Sequence, residues 1–366
     1  MKHLSALDIA FLAKELTFLE GAKLQQVYQP AKKELILQFH VKGSGTSIQK
    51  VRVPAVAYLA SSKEPAEKVT GFCQLLRKKL SGATLRSISQ KGFERILQLD
   101  FASKNASFSL FFELFSKGNI ILVQDSKIAA VEEKQAWKAR TVAVGHPYIP
   151  PPAIADPREL GQEQLLQLLK ATNKTDIVRF LALELSLGGL YAEELCLLAG
   201  IRKSEEPASL TAADAKKLLQ SFHSLISSPP SPSIIYRDGK PLDSVPMQLR
   251  YYHGCESKPF RAFSEALEAY EALAPTLSKH DREIMKLNTI IEQQQDSIKI
   301  SEAEAAEDSR RGELIYEHYQ PIQQLLSEIN AARKSGGWAA VRELQKKYKK
   351  LKVVDEKSAS VVVEFQ

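Results

Sequence analysis

The residues best suited to chemistry lie in one basic stretch of the chain, residues 70–124. Three consecutive cations, Arg77, Lys78 and Lys79, follow apolar residues that recur at helical spacing. Lysine and arginine bind phosphate groups, and arginine can do so through two parallel hydrogen bonds. We therefore predict a helix over residues 70–80 that is apolar on one side and offers phosphate contacts on the other.

An acid–base pair, Glu94 and Arg95, follows on a segment that we predict to be a strand over residues 94–101. Arginine can form two hydrogen bonds to a guanine edge, and a carboxylate can accept one from the amino group of a base. Neighbouring residues on a strand point to opposite faces, so these two could act jointly only at a strand end or a bulge. The alternative is a surface ion pair elsewhere in the sheet, which contributes little.

Enzyme chemistry has no support from motifs. The sequence lacks a Walker phosphate loop, a Rossmann glycine fingerprint, HExxH and GxSxG. Its histidines are scattered, and Cys73, Cys196 and Cys255 have the spacing of neither a disulfide framework nor a zinc site. We predict a binding protein without catalytic residues, cofactor or metal, in which Cys73 is buried.

Charge divides the chain into a basic part and a nearly neutral part. Residues 1–153 hold 22 Lys and Arg against 12 Asp and Glu, whereas the remainder holds 28 against 31. A basic domain on a neutral body indicates a polyanion partner, and simple solubility is the alternative. No apolar run reaches the roughly 20 residues that span a bilayer, and the first residues form an amphipathic pattern. We expect a cytoplasmic protein that does not contact a membrane.

The order of elements predicts an α+β fold. Apolar residues at helical spacing give a first helix over residues 4–19, and alternating segments then give an antiparallel meander. Further strands are predicted over residues 84–89, 107–115, 119–124 and 127–131, with a tight return at Lys117, Gly118 and Asn119. Many short strands flanked by helices predict a sheet sandwich over residues 1–153, which ends at a Pro-rich linker.

A small helical domain is predicted over residues 154–228, where Gly188 and Gly189 separate two amphipathic helices. A helix that starts after a glycine-rich turn can present backbone N–H groups to a phosphate, and a tight helical hairpin is the alternative. Residues 229–262 are rich in Pro and Ser. They form a connector, or a β element that pairs with a C-terminal strand within residues 351–366.

Residues 263–350 carry a coiled-coil pattern, because isoleucine and leucine recur every seven residues. The repeat positions are Leu277, Ile284, Ile291 and Ile298 in a first segment and, after the polar stretch SEAEAAEDSRRG, Ile315, Ile322 and Ile329 in a second. Pro321 should interrupt the second segment. Such an apolar seam needs a partner, which could be the chain's own return segment, a second copy of the chain, or further sequence.

Several segments in register resemble the NFACT family, whose members are RqcH- and NEMF-like proteins. They are ALDIAFLAKEL, FCQLLRKKLSGATL, GFERILQLDF, FELFSKGNIILVQD, VGHPYIPPP, LGGLYAEELCLLAGI and RRGELIYEHYQPIQQLL. The resemblance covers nearly the whole chain and is strongest to archaeal-type members. It implies an NFACT-N domain over residues 1–153, a helix-hairpin-helix domain over 154–228, and a coiled-coil middle domain over 263–350. The family's C-terminal NFACT-R domain is not in this sequence.

The family's implied function is ribosome-associated quality control. Members bind the large ribosomal subunit that carries an obstructed nascent chain, and they recruit aminoacyl-tRNA so that the chain is extended without mRNA. The implied partners are therefore the large subunit with its rRNA, tRNA and, indirectly, the stalled nascent chain. A characteristic Asp-Arg pair of the bacterial branch matches Glu94 and Arg95, with Glu in place of Asp. We predict a tRNA-binding surface of Glu94, Arg95, Arg77, Lys78, Lys79, Lys117 and Asn119.

Two other functions remain as alternatives at this point. The NFACT-N domain also resembles the N-terminal domain of Fpg-type DNA glycosylases, whose nucleophile is an N-terminal proline. This chain begins Met1-Lys2-His3, so we expect that chemistry to be lost. A fibronectin-binding adhesin is the second alternative, after an older name of the family, and the lack of an export signal argues against it.

Overall fold

The computed structural model describes residues 2–62, 69–104, 106–137, 140–151, 155–273, 287, 294, 305–313, 315–348, 351–355 and 360–363. The chain forms two compact units, Met1–Thr276 and Leu277–Gln366. No helix among the described residues combines the length and the apolar character needed to cross a membrane. The domain boundaries predicted near residues 153, 228 and 262 fall inside the first unit and stay predictions.

Nine strands of the first unit form one antiparallel sheet. They are β1 (Lys23–Tyr28), β2 (Glu34–Val41), β3 (Gly45–Arg52), β4 (Val56–Ala60), β5 (Thr84–Gln90), β6 (Ile96–Ala102), β7 (Ser107–Glu113), β8 (Asn119–Gln124) and β9 (Lys127–Val131). Their order is β4-β3-β2-β1-β5-β6-β7-β8-β9, so two meanders join between β1 and β5. A short hairpin of β10 (Gln135–Ala136) and β11 (Thr141–Val142) follows. The predicted meander and the predicted strands over residues 107–131 are confirmed.

The sheet curves until its two halves share a core. The rings of Phe39 on β2 and Phe101 on β6 stack with centroids 6.4 Å apart. In a flat sheet these strands would be three spacings, or about 14 Å, apart. The helices and this antiparallel sheet together confirm the α+β class. The expected sandwich is instead a single continuous sheet that bends over one apolar core.

Helix α2 (Gly71–Leu80), the predicted basic helix, closes one side of this core. The Thr70 hydroxyl caps the helix by accepting a hydrogen bond from the Cys73 N–H at 3.1 Å. Cys73, Leu76 and Leu80 are buried in the core, as the apolar stripe predicted.

Helix α1 (Ala6–Leu16) lies between the sheet core and a second core. Its residues Ile9 and Leu12 pack against the sheet, whereas Leu7 and Phe11 pack against helices that come later in the chain. Because apolar residues occur on both sides of α1, the helix is buried almost throughout.

The second core is formed by helices and a small sheet. These elements are α3 (Gln162–Ala171), α4 (Ile177–Leu183), α5 (Gly188–Ala199), α6 (Ala212–Ile226), and the strands β12 (Ser233–Arg237), β13 (Lys240–Val245) and β14 (Glu256–Pro259). Gly188 and Gly189 begin α5, and Gly200 ends it in the left-handed conformation with φ 68°. The predicted helix break and helix end are thus confirmed. Helix α7 (Phe263–Leu273) packs against β4 and β13.

Buried ions join α1 to this second core. Lys2 Nζ lies 2.8 Å from Asp243 and 3.5 Å from Asp8. The Tyr191 hydroxyl donates to Asp8 at 2.6 Å, and the Tyr252 hydroxyl donates to Asp243 at 2.8 Å. Burial alone would lower the pKa of Lys2, but the two carboxylates raise it above its usual value. The charges compensate one another, as buried charges must.

The second unit contains helix α8 (Tyr319–Lys347), which is broken at Gly337 (φ 65°, ψ −160°). After the break the chain returns, and Ile329 packs against Val341 and Leu351. The coiled-coil seam therefore closes on the chain's own return segment at Ile329. Self-association of two copies stays a prediction.

Other parts of the coiled-coil pattern have different outcomes. Ile315 is 55% exposed and is not in this small core. The helix breaks at His318, and Pro321 lies in the first turn of α8, where a proline is tolerated. The heptad positions at 277, 284, 291 and 298 lie outside the described residues.

In the described part of the chain, the C-terminal segment does not pair with residues 229–262, which was one of the two alternatives for that region. The segment β15 (Leu351–Asp355) pairs with β16 (Ser360–Val363) in a hairpin. β12 pairs instead with β13 and β14, so the Pro- and Ser-rich segment forms a sheet of its own.

Candidate functional site

Four turns of the large sheet converge at one end, and we call them the turn cluster: residues 29–33, 53–55, 91–95 and 114–118. Their contacts are the Val53 N–H to the Lys33 carbonyl (3.0 Å), Lys33 Nζ to the Lys117 carbonyl (2.7 Å), Arg95 Nη2 to the Pro54 carbonyl (3.4 Å) and the Leu114 N–H to the Arg95 carbonyl (2.7 Å). The turns join different pairs of strands, yet they carry several basic residues to one surface.

Glu94 and Arg95 lie in the turn before β6, not on the strand predicted over residues 94–101. The turn begins after Gln90, and Gly92 has φ 58°. This is the strand end at which the two neighbours can act together. They form no ion pair with each other among the contacts of the described residues.

Arg95 is half-buried and poorly satisfied. Its Nη2 reaches only the Pro54 carbonyl, at 3.4 Å, and its Nε is buried without a hydrogen-bond partner among the described residues. Burial lowers the pKa of Arg95, and the more distant Asp8 offsets this in part. Because Nε is closed off from solvent, an external acceptor would meet the terminal nitrogens of this guanidinium, where Nη2 makes only a long hydrogen bond.

Glu94 connects the turn cluster to the glycine turn before α5. Its Oε1 accepts a hydrogen bond from the Ser186 hydroxyl at 3.1 Å. Burial raises the pKa of Glu94, and the Ser186 hydrogen bond offsets part of that rise. Gly188 (φ 73°) passes so close to α1 that a Cβ there would lie 3.8 Å from the Ser5 side chain. The structure therefore brings the predicted glycine turn beside the predicted acid–base pair.

A second group of charges surrounds the turn at Gly118. Lys33 lies 2.7 Å and Lys32 3.9 Å from carboxylate oxygens of Glu133. The hydrogen bond and charge of Lys33, with further contributions from Lys32 and Lys117, lower the pKa of Glu133. Lys117 itself is exposed. These three lysines face two carboxylates, Glu133 and Glu132, whose Oε2 accepts from Gln29 Nε2 at 2.8 Å, so this edge of the turn cluster keeps a net positive charge.

Asn119 was predicted to lie on the tRNA-binding surface, but it lies inside the protein. It is completely buried, and its amide nitrogen donates to the Glu133 carbonyl at 2.8 Å. Its Oδ1 accepts from the Ile120 and Glu133 N–H groups. Asn119 thus fixes the backbone around the turn and has no exposed surface for a ligand.

The cations of α2 are only partly available. Arg77 Nε donates to the Val27 carbonyl at 2.7 Å, and Lys79 Nζ donates to Gln124 at 2.9 Å. Lys78 is exposed. Thr70, at the start of α2, contacts Gln29 of the turn cluster, whereas the cations lie about 10–14 Å farther along the helix axis. Lys78 therefore extends the basic surface, and the other two mainly hold α2 on the sheet.

Sequence reasoning missed the roles of Lys32, Lys33 and Pro54. Two adjacent lysines in a turn, Lys32 and Lys33, are a visible signal of a basic surface. No local signal connects them to Glu133, which is 100 residues away in the chain. Among the described residues, no cluster of three His, Cys, Asp or Glu side chains could hold a metal ion.

Comparison with known proteins identifies the family of this α+β chain. The model of the NFACT N-terminal and middle domains matches residues 5–361. The chain belongs to the NFACT family. Within that family it is RqcH-like, because it is 29% identical over 364 residues to the archaeal Rqc2 homolog aRqcH of Methanocaldococcus jannaschii. That match covers 93% of this chain and 54% of the relative.

A second relative carries the function in its name. The chain is 35% identical over 130 residues to ribosome quality control complex subunit 2 of Saccharomyces cerevisiae, a match that covers 34% of this chain and 12% of the relative. The family is therefore one of ribosome quality control. The chain spans about half the length of its archaeal relative and a small part of the yeast one.

A solved structure shares the fold. The N-terminal part of the fibronectin/fibrinogen-binding protein from Streptococcus suis superimposes with a TM-score of 0.59 and 22% identity. The match covers 74% of this chain and 99% of that one. At this identity the likeness concerns the fold alone.

Proposed function

We propose that this chain is a binding factor of ribosome-associated quality control that engages tRNA and the large ribosomal subunit on stalled nascent-chain complexes. Its relatives' names support the process. The tRNA contact is supported by the turn cluster, where the half-buried Arg95 has no carboxylate partner among the described residues and lies beside the basic residues Lys32, Lys33 and Lys117. The factor acts in the cytoplasm, without a cofactor.

The proposal depends on the surroundings of Arg95. A buried or half-buried arginine is ordinarily paired with a carboxylate, because an unpaired buried charge is unfavourable. Among the described residues, Arg95 makes one long side-chain contact, to the Pro54 carbonyl. A guanine edge would complete its hydrogen bonds in the bound state. Glu94, fixed by Ser186, can accept from a neighbouring base.

The lysines have a different role in this proposal. Lys32, Lys117 and Lys78 are exposed and contribute phosphate contacts that do not depend on sequence. Arg95 and Glu94 contact bases and therefore determine which tRNA is preferred. The two roles predict different salt dependence, because only phosphate contacts release counterions.

Binding of a total tRNA pool to the full chain tests the site. Arg95→Ala should weaken binding by about tenfold or more, since one good bidentate contact is worth about 1–3 kcal/mol. Arg95→Lys should recover only part of the affinity, because lysine lacks the planar fork. Lys42→Ala, at an exposed turn between β2 and β3, is the matched control and should have little effect. Equal tRNA affinity of Arg95→Ala and wild type, with circular dichroism unchanged, would contradict the assignment.

Ribosome sedimentation with identification of the co-purified RNA tests the wider function. We expect the chain to migrate with large subunits and to bring tRNA with it. Incubation with damaged duplex DNA and borohydride addresses the glycosylase alternative in the same preparation. A covalent protein–DNA adduct there, together with no migration on subunits, would overturn the proposal.

A further inference from the structure

A groove of about 670 Å³ crosses the outer face of β5, β6, β7 and β8. Its wall includes Gln98, Asp100 and Ser109, which alternate with residues of the large core and so lie on the other face of the sheet. The core residues Phe101 and Phe108 also line the groove. None of the residues proposed to contact tRNA lines it. The volume is within the range of small-ligand sites, about 300–1,000 Å³.

One wall of the groove is aromatic. Tyr148 stacks on Phe111 with ring centroids 4.2 Å apart and 25° between the planes. The Tyr148 hydroxyl donates to Glu113 at 3.1 Å, which fixes the orientation of the ring. Tyr148 is half-buried and lines the groove, so part of its surface is available to a planar ligand. Aromatic side chains held in this way are stacking surfaces for nucleobases.

The floor of the groove is polar and rich in acceptors. Asp100 on β6 accepts hydrogen bonds from the hydroxyls of Ser109 (2.6 Å) and Ser87 (2.9 Å). It also accepts from Gln98 Nε2, at 2.9 and 3.0 Å. Because the Gln98 amide nitrogen is engaged with Asp100, its Oε1 is the group left for a ligand, and it can only accept. A ligand edge that meets this floor must therefore donate.

Opposite charges lie at the two ends of the groove. Exposed Arg86 and Lys91 line it at β5, whereas Asp125 lines it in the turn after β8. Three strand spacings separate β5 from β8, about 14 Å. An anionic ligand group is therefore favoured at the β5 end, and the aromatic wall lies toward the β7 end.

We propose that this groove binds a nucleotide whose base carries an exocyclic amino group, adenine being the best example. The base lies against Tyr148, its amino group donates to Gln98 Oε1, and the phosphate contacts Arg86 and Lys91. Hypoxanthine has an oxygen where adenine has the amino group. That oxygen would face Gln98 Oε1, which is also an acceptor, so hypoxanthine is rejected. The same chemistry is offered by a free nucleotide and by an unpaired residue of an RNA strand. The proposal does not depend on the tRNA contacts of the turn cluster.

Calorimetric titration of the full chain tests the proposal with AMP, IMP, inorganic phosphate and a short oligoadenylate. We expect AMP to bind about tenfold more tightly than IMP, and phosphate to bind more weakly still. The double change Arg86→Ala/Lys91→Ala should weaken AMP by about tenfold, whereas Lys42→Ala should leave it unchanged. Gln98→Ala should remove most of the difference between AMP and IMP. Arg95→Ala should leave AMP binding intact, which separates this site from the tRNA contact proposed for Arg95.

The outcomes divide clearly. AMP binding with the expected variant effects assigns the groove to a free nucleotide. Binding of oligoadenylate alone, weakened by Arg86→Ala/Lys91→Ala, assigns it to an RNA strand. Equal affinity for AMP and IMP overturns the proposal, as does binding of either ligand that ignores Arg86→Ala/Lys91→Ala, or no binding of AMP and oligoadenylate to a folded chain.

Discussion

Two arginines of the sheet region have opposite surroundings. Arg140 is 8% exposed, donates from Nη2 to both oxygens of Glu113 (2.8 and 2.7 Å), and lies against the Trp137 ring at 4.8 Å. Arg95, in the turn cluster, reaches only a carbonyl at 3.4 Å within the described part of the chain, and its buried Nε has no partner there. The described residues pair the charge of Arg140 and satisfy its hydrogen bonds, and they do neither for Arg95. The difference separates an arginine that stabilises the structure from one that needs a ligand.

The largest expected effect is on the completed pair. Arg140→Ala leaves the Glu113 carboxylate buried without its cation, and we expect it to lower the free energy of unfolding by about 3–5 kcal/mol. Urea denaturation measures this loss. Arg202→Ala is the matched control, because Arg202 is largely exposed in its ion pair with Glu205 and should lose at most about 1 kcal/mol. Similar losses in both variants would contradict the distinction drawn between the two kinds of arginine.

The packing of the turn cluster gives the next effect. A Cβ on Gly118 (φ +68°) would lie 2.7 Å from the Pro54 backbone nitrogen, whereas a Cβ on Gly43 (φ +84°) would meet nothing within 4 Å. Gly43→Ala should cost about 1–2 kcal/mol from its backbone conformation. Gly118→Ala should cost about 1–3 kcal/mol more, because two turns must separate. We also expect Gly118→Ala, but not Gly43→Ala, to weaken tRNA binding; equal effects would show that the close approach of these turns is unimportant.

Much of the fold was predictable because local patterns determine it. Alternating apolar residues located β7, β8 and β9, and the helical spacing of Leu76 and Leu80 located α2. The bend of the sheet was not predictable, since it depends on contacts such as Phe39 with Phe101 that are distant in the chain. A return segment was among the predicted partners of the seam, but the break of α8 at Gly337 was not predicted, because a heptad pattern favours an unbroken helix.

The candidate site was predictable in its residues but not in its geometry. Charge and resemblance selected Arg95 and Glu94. The strand predicted to begin at residue 94 begins at Ile96, because the preceding Phe93 packs into the second core and does not continue the alternation of the sheet. The contact of Glu94 with Ser186 joins segments 92 residues apart. Nothing local indicates such a contact. Asn119 shows the converse, since a polar residue in a tight return proved to be buried and internally bonded.

The incomplete arginine should contribute little to stability. Arg95→Ala removes one long hydrogen bond and a desolvated charge, and we expect the free energy of unfolding to change by less than about 1 kcal/mol. Urea denaturation measures this change beside that of Arg140→Ala. A loss as large as that of Arg140→Ala would mean that Arg95 is structural, and any loss of tRNA binding would then follow from misfolding.

The smallest expected effect is a pH dependence at Glu94. Burial raises the pKa of Glu94. In the folded chain this carboxylate therefore becomes protonated at a higher pH than an ordinary glutamate, whose pKa is about 4.3. A raised carboxyl pKa means that the charged form is unfavourable in the folded state at neutral pH, and that this penalty disappears as the pH falls through the raised pKa. Glu94→Gln should therefore be slightly more stable than wild type at pH 7 and indistinguishable from it in acid. The Ser186 hydroxyl can still donate to the new amide oxygen.

Glu133 provides the control with the opposite sign. Its pKa is lowered by the hydrogen bond and charge of Lys33, so its contribution to stability is present above the ordinary glutamate pKa and is lost as the pH falls through the lowered pKa. Glu133→Gln should be less stable than wild type at pH 7, and this deficit should persist to a lower pH than the Glu94→Gln gain. Parallel urea titrations from pH 7 to about pH 3.5 compare the two. If both variants change stability with the same sign, burial is not what sets the pKa of Glu94, and its carboxylate is as well compensated as that of Glu133.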